Sequence, residues 1–418
     1  MKNLSFAQQG ASFLRYLSLA LSLIIIGWVS PLHSQYPNSN FELVESIPIE
    51  TNLDNPDIRN TPSVWLEIIN GARSTLDIEH FYFSNEKNTT LDTVVTALAQ
   101  AIKRGVRVRI LLDARMSRTY PQSVAQLQQI GATVKTTAVF NRLGGVQHAK
   151  FMVIDSSAIF LGSQNFDWRA LSHIHELGFY IKHHQLATDF LKIYEQDWNQ
   201  SQPGEPATQP STRQNYYSIK NEDGTVINFY PTANPLNYVP DGFQWDEIAL
   251  LKLIAAARKS IYVQLLSYST EDRNGAVYVK LDNALRAAAA RGVDIRLLIS
   301  DWATDDHELP GLKDLARIAN ISVRLSTIPE WSQGYIPYAR VEHCKYCVVD
   351  DSLSWLGTSN WSKSYFYTSR NLGLVVGNPA INARLRAIFL KSWDSPYAWQ
   401  LKPEQHYPVK FHGEIQTK

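Results

Sequence analysis

Cysteine is nearly absent: the 418-residue chain has two, Cys344 and Cys347. At most one bridge can form, so stability does not come from a disulfide framework. The pair has CxxC spacing but sits in VEHCKYCVVD, which reads as a strand. Strand residues three apart face opposite sides, whereas a redox pair needs the start of a helix. Two buried thiols are expected. An excess of one charge is lacking too: 40 Lys and Arg stand against 39 Asp and Glu, a formal net charge of +1. That excludes a strong global pull toward polyanions or anionic membranes and leaves only a local basic cleft. A membrane-spanning run is also missing. The apolar stretch Tyr16–Val29 has 14 residues, short of the roughly 20 a spanning helix needs. It follows Lys2 and Arg15 and precedes Pro31 and the polar HSQYPNSN. This is the layout of a secretory signal over residues 1–34, with Ser34 suited to be the last residue removed and Leu32 oversized for its place. Export to a periplasmic, extracellular or lumenal space is expected. The alternative is an uncleaved N-terminal single-pass anchor.

The rest is ordinary globular material, 44% hydrophobic and 19% charged, at a length that suits two domains. TPSVWLEIINGA (61–72) predicts a helix with Thr61 as N-cap and Pro62 at its first position. STLDIEHFYF (74–83) predicts a strand, TLDTVVTALAQAIKRG (90–105) an amphipathic helix closed by Gly105, and VRVRILLD (106–113) a strand. PQSVAQLQQIGA (121–132) and TVKTTAV (133–139) predict another helix and strand. The order then repeats. ARSTLDIEHFYFS (72–84) returns as ARKSIYVQLLSYS (257–269), an offset of 257 − 72 = 185. RGVRVRILLDA (104–114) returns as RGVDIRLLISD (291–301), an offset of 187. The class is α/β, with helices over a mostly parallel or mixed sheet. A period this long implies two fused homologous domains, not a solenoid. We place them at 56–198 and 223–400, joined by a linker at 199–222 that opens with the Pro- and Gln-rich NQSQPGEPATQPSTRQN. Residues 35–55 and 401–418 read as extensions.

The repeat carries chemistry. HAKFMVID (148–155) and HCKYCVVD (343–350) each place His, Lys two residues on, and Asp five after the Lys, at an offset of 195. Gly162/Gly357, Asn165/Asn360, Gly178/Gly373 and Trp198/Trp393 keep the same offset. On a strand, His148 and Lys150 share a face. Ser163 and Asn165 share one on the next strand, and His343, Lys345, Thr358 and Asn360 repeat the set. Ammonium, amide and hydroxyl donors suit a phosphate. Of two imidazoles, a neutral one can attack phosphorus and a protonated one can protonate the leaving oxygen. Histidine allows both states near neutral pH.

With GSQN (162–165) and GTSN (357–360) following, the chain resembles the phospholipase D superfamily, whose signature is HxKx4D followed by GSxN or GTxN, present twice. GSQNFDWRALSHIHELG (162–178), GTSNWSKSYF (357–366) and VESIP (44–48) look most like the endolysosomal 5′-exonucleases and poxvirus envelope proteins of that family. The resemblance implies two duplicated α/β/α domains with pseudo-twofold symmetry and one active site at their interface. It implies a covalent phosphohistidine, no metal and no cofactor. His148 would be the nucleophile and His343 the general acid. Lys150, Lys345, Asn165 and Asn360 would grip the phosphate with Ser163 and Thr358 alongside. Asp155 and Asp350 would support the histidines or lysines, and Glu176 would hold an imidazole nitrogen. One departure stands out: the residue matching Glu176 is Asn371 (371 − 176 = 195), so the second copy lacks that carboxylate.

The expected partner is a phosphodiester. A phospholipid headgroup comes first, with association at a membrane surface. A single-stranded nucleic acid end is the alternative, and headgroup transfer or a non-catalytic membrane scaffold are others. No obligate protein partner is inferred. His173 and His175 read as a strand-edge pair, not metal ligands, for want of a third ligand at suitable spacing. Trp168, Trp361, Tyr365 and Tyr367 suit either a cleft lining or packing, and FYPTANPLNYVP (229–240) a cleft wall. Asn88 and Asn320 lie in glycosylation sequons.

Overall fold

The computed structural model describes residues 39–200, 214–221, 224–272 and 275–414. The expected signal at 1–34 and most of the linker (201–213) lie outside them. Among the described residues, no helix is long and apolar enough to cross a membrane.

Each lobe's sheet has a row of seven repeated strands, which short additional strands extend to nine strands in the first sheet and ten in the second. In the first they are β1 (Phe41–Ser46), β2 (Thr75–His80), β3 (Arg107–Asp113), β4 (Thr133–Thr137), β5 (Phe151–Ile154), β6 (Ala158–Gly162) and β7 (Ile174–Lys182). Their spatial order is β1-β7-β6-β5-β2-β3-β4. The second sheet repeats it with β8 (Val226–Asn234), β9 (Ser260–Leu265), β10 (Asp294–Ser300), β11 (Ile321–Ser326), β12 (Tyr346–Val349), β13 (Leu353–Gly357) and β14 (Asn371–Gly377), in the order β8-β14-β13-β12-β9-β10-β11. In both lobes the last three strands of the row are parallel, and the other neighbours are antiparallel. The sequence dictates this split. Amphipathic helices between β2, β3 and β4 force parallel crossovers. A tight turn at Asp155-Ser156, both at positive φ, folds β6 straight back on β5. Asp tolerates that conformation better than most residues.

Three expectations change. Residues 41–46, read as part of an extension, form β1 and pair antiparallel with β7. They match β8 in the second lobe, so the duplication begins earlier than the helices suggested. The helix at 61 starts as predicted (α1, Thr61–Gly71), but Asn60 is its N-cap residue. The Thr61 hydroxyl instead donates to the Glu45 carbonyl oxygen at 3.0 Å. The described part of the C-terminal extension, 401–414, is not free of the lobe, since Leu401 and Tyr407 join its core.

One hydrophobic core spans both lobes, and a second lies within the first lobe alone. Phe41 on β1 packs on Phe229 on β8, and Phe190 on the helix α2 (His184–Asn199) packs on Phe243 of the second lobe. Both motif glycines are needed for strand approach: a Cβ on Gly162 would sit 2.8 Å from Gly178 Cα, and one on Gly357 2.8 Å from the Leu372 carbonyl oxygen.

Candidate active site

His148 and Lys150 lie on the extended residues entering β5, and His343 and Lys345 on those entering β12. All four are buried, the histidines 4% and 7% exposed and the lysines fully enclosed. Each ammonium donates to the carbonyl oxygen of its own motif's histidine, Lys150 to His148 at 2.7 Å and Lys345 to His343 at 2.6 Å. That fixes where each Nζ points.

Each imidazole is held by the opposite lobe. His343 Nδ1 lies 2.7 Å from Glu176 Oε2 on β7 of the first lobe. His148 Nδ1 lies 2.9 Å from Asn371 Oδ1 at the start of β14 in the second. The Asn371 amide is itself oriented, because its Nδ2 donates to the Tyr365 carbonyl oxygen and its Oδ1 accepts from the Thr358 hydroxyl. Oδ1 therefore faces His148, Nδ1 carries the proton, and Nε2 keeps its lone pair for a substrate. Phe81 and Tyr365 flank the His148 ring at 5.0 Å each. The seam thus gathers two imidazoles, two ammonium groups and one carboxylate into one site.

Its electrostatics are those of an anion-binding cage. Burial, then Lys150 and Lys345, push the His148 pKa well below its ordinary value. Burial, Lys345 and Lys150 do the same to His343. Burial lowers Lys345 to about 7, and burial plus Lys345 lowers Lys150. Burial raises Glu176 to about 8. A bound phosphodiester supplies the negative charge that would relieve the repulsion among these cations.

The remaining candidates divide. Asn165 and Asn360 are in place, and the buried Nδ2 of Asn360 has no protein partner. Ser163 and Thr358 are close by, but their hydroxyls are already engaged. Ser163 Oγ accepts from Leu177 N and donates to Leu177 O, while Thr358 Oγ1 accepts from Leu372 N. They brace β7 and β14 and are not free donors. Asp155 and Asp350 do not support the histidines or lysines. Asp155 accepts from the backbone N–H groups of Arg73, Ser74 and Thr75. Asp350 does so from Arg258, Lys259 and Ser260. The five-residue step from Lys carries each Asp to the turn at the far end of its strand. Asp155→Ala and Asp350→Ala should each lose about 1–3 kcal/mol in chemical denaturation, with specific activity of the folded protein kept. A catalytic role would show as lost activity at full stability.

Sequence reasoning missed the rest of the seam. Gln147 donates to Glu79, and the Arg370 guanidinium makes a two-pronged pair with Asp197. Part of the signal was available, because Gln147 and Arg370 adjoin His148 and Asn371 and Glu79 is a carboxylate inside an apolar strand, whereas Asp197 lies on α2. His175 is not at a strand edge: it is buried and paired with Glu342. Trp361 is core, whereas Tyr365 contacts His148. Residues 229–234 belong to β8, and the carbonyl oxygens of Asn234 and Tyr238 receive Arg370, so this stretch is a buttress, not a cleft wall. Cys344 and Cys347 are buried free thiols.

The approach to the site is one-sided. A cleft of about 690 Å³ opens beside His148, lined by Val146, Ser267, Ser269, Ser362, Ser364 and Tyr365 among others. The matching residues of the first lobe fill the equivalent flank. Tyr82 (267 − 185) donates to Asp167 (362 − 195) and stacks on Tyr120. Arg169 (364 − 195) pairs with Asp167, donates to the Ser84 hydroxyl and reaches the Pro337 carbonyl oxygen.

Comparison with known proteins agrees with this geometry. The family described as "Cardiolipin synthase, PLD-like domain" matches residues 65–198 and again 250–393. The chain belongs to the phospholipase D superfamily. It is 35% identical over 396 residues to the protein named 5′-3′ exonuclease PLD3 of Bos taurus, covering 86% of this chain and 80% of that one. It is 31% identical to the virion nicking-joining enzyme of vaccinia virus (strain Western Reserve), covering 86% and 89%. Phospholipase D Z of Dictyostelium discoideum is 30% identical, with 86% and 90% covered. Among solved structures, phosphatidylserine synthase of Haemophilus influenzae Rd KW20 shares the fold at 12% identity and a TM-score of 0.61, covering 81% and 85%. As a phospholipase D superfamily member, the chain is a phosphodiesterase by family.

Proposed function

We propose that the chain is a phosphodiesterase that cleaves single-stranded nucleic acid from its 5′ end through a covalent phosphohistidine. Attack by His148 Nε2 on phosphorus expels the leaving oxygen, which takes a proton from His343. Water, deprotonated by His343, then releases the phosphate from His148. Asn371 offers His148 only a neutral acceptor, which favours a neutral nucleophile. Glu176 offers His343 an ionisable acceptor, so a proton can be held between the two, and once a bound phosphodiester offsets the repulsion from Lys150 and Lys345 this pair favours the imidazolium an acid must be. Lys150, Lys345, Asn165 and Asn360 stabilise the phosphoryl oxygens. The carrying observation is the one-sided cleft: an open flank admits a strand, and a filled flank accommodates only an end. The relatives named as exonucleases support the substrate class.

A second reading has its own support. Glu271, Asp272, Asp305 and Glu308 line the cleft against Arg115 and Lys363, which suits a cationic headgroup better than a polyanion. The separating experiment offers 5′-hydroxyl linear DNA, the same DNA circularised, and phosphatidylcholine vesicles. Digestion of the linear strand alone is expected. Cutting of the circle would overturn the end-directed reading, and choline release without digestion would favour the headgroup. Because histidine is the nucleophile, a chelator should leave the rate unchanged. A strict metal requirement would contradict the scheme.

A further inference from the structure

The seam holds a second His–carboxylate pair back to back with the first. His175 precedes Glu176, and Glu342 precedes His343. Neighbouring strand residues face opposite sides, so His175 and Glu342 meet on the side away from the phosphate. His175 Nδ1 and Glu342 Oε2 are 2.5 Å apart, both side chains 1% exposed. Gln264 donates to the same oxygen at 2.7 Å, and its own oxygen accepts from Tyr346.

The backbone here is a short parallel ladder, Ile174 opposite Val341 and His175 opposite Glu342. His343 N donates to the His175 carbonyl oxygen at 2.9 Å. So short a ladder specifies register weakly, and a slip of one residue would turn Glu176 away from His343. A buried charged pair adds little net stability, but breaking it is costly, which makes it a good device for fixing register. The pseudo-symmetric seam solves the problem differently. Its counterparts are Arg370 (175 + 195) and Gln147 (342 − 195), bridged through the backbone. There the fixed charge of Arg370 is anchored on Asp197.

We propose that His175 and Glu342 are positioning residues that lock the interlobe register in which Glu176 meets His343. This rests on the phosphodiesterase reading for its kinetic consequence only. The lock is titratable, unlike its counterpart. Burial alone would lower the His175 pKa, but Glu342 and the Glu45 carboxylate on β1 outweigh burial and Lys391, and raise it. Cys344, whose Sγ donates to the His175 carbonyl oxygen, and the Tyr346 hydroxyl are the other titratable groups nearby. A raised folded pKa means the ionic lock is complete at acid pH and lost as pH rises through that pKa.

The test uses Glu342→Gln and His175→Arg in the full chain, with bis(p-nitrophenyl) phosphate as substrate. Glu342→Gln should lower kcat about tenfold to a hundredfold, as an ångström-scale misplacement does, with KM nearly unchanged and the alkaline limb of kcat moved to lower pH. His175→Arg, copying the partner seam, should retain kcat and flatten that limb. A second readout needs no turnover: the downfield proton NMR signal of His343 Nδ1–H should shift or broaden in Glu342→Gln. Wild-type kcat together with an unchanged His343 signal would overturn the lock. A wild-type protein inactive on the diester would sink the phosphodiesterase reading instead, and the NMR signal alone would then decide the lock.

Discussion

His343→Ala is expected to stop turnover while a phosphoenzyme accumulates on His148, and His148→Ala to form no phosphoenzyme at all. Each should lower steady-state rates by roughly a thousandfold or more, the scale of removing a nucleophile or acid–base group. The asymmetry follows from the seam. His148 is held by the Asn371 amide at 2.9 Å and His343 by the Glu176 carboxylate at 2.7 Å. A p-nitrophenolate leaving group needs no proton, so His343→Ala can still complete the first step. It then lacks the base for the second. One equivalent of nitrophenolate in a burst, with an acid-labile adduct mapped to His148, is the expected result. A burst in His148→Ala instead would exchange the two roles. Sustained turnover by either variant would refute the two-histidine scheme. Glu176→Gln should slow alkyl esters more than nitrophenyl esters, because it weakens the acid and not the attack.

Lys345→Met is expected to abolish activity and stabilise the fold. The ammonium is fully buried beside Lys150, and burial lowers its pKa to about 7. The unfolded chain binds that proton up to the ordinary lysine range, so keeping it charged in the fold opposes folding. The sign is definite: the cost is complete below about pH 7 and falls away as pH rises toward the unfolded value. Methionine keeps the stem and removes the charge, a gain on the order of 1–4 kcal/mol. Catalysis should fall at least a hundredfold, since the charge is absent where negative charge develops. Denaturant melts at pH 6 and pH 10 check this: the gain should be large at the first and small at the second. A loss of stability at pH 6 would show that the ammonium is compensated in the free protein.

Much of this is legible in the sequence. The 195-residue offset fixed which histidine, lysine and asparagine pairs share a site, because duplicated residues in a pseudo-twofold fold converge at the axis. The helices and parallel strands followed from amphipathic spacing and closing glycines such as Gly105. What could not be read was direction across the seam. Glu176 and Asn371 stand at matched positions, but nothing local says that each crosses to the other lobe's imidazole. The motif aspartates misled for a related reason. The constant Lys-to-Asp spacing measures the length of a strand, so Asp155 ends at the turn, where it ties down three backbone N–H groups. β1 was hidden because FELVES is short and isolated from the helical pattern, and only its pairing with β7 makes it a strand.

A crystal structure with vanadate bound tests the shared-phosphate site most directly. The expected result is one vanadium in trigonal-bipyramidal geometry, bonded to His148 Nε2, with His343 Nε2 at the opposite apex and both lysines on the equatorial oxygens. Vanadate bound away from the seam, or touching one imidazole with the other turned aside, would contradict the account.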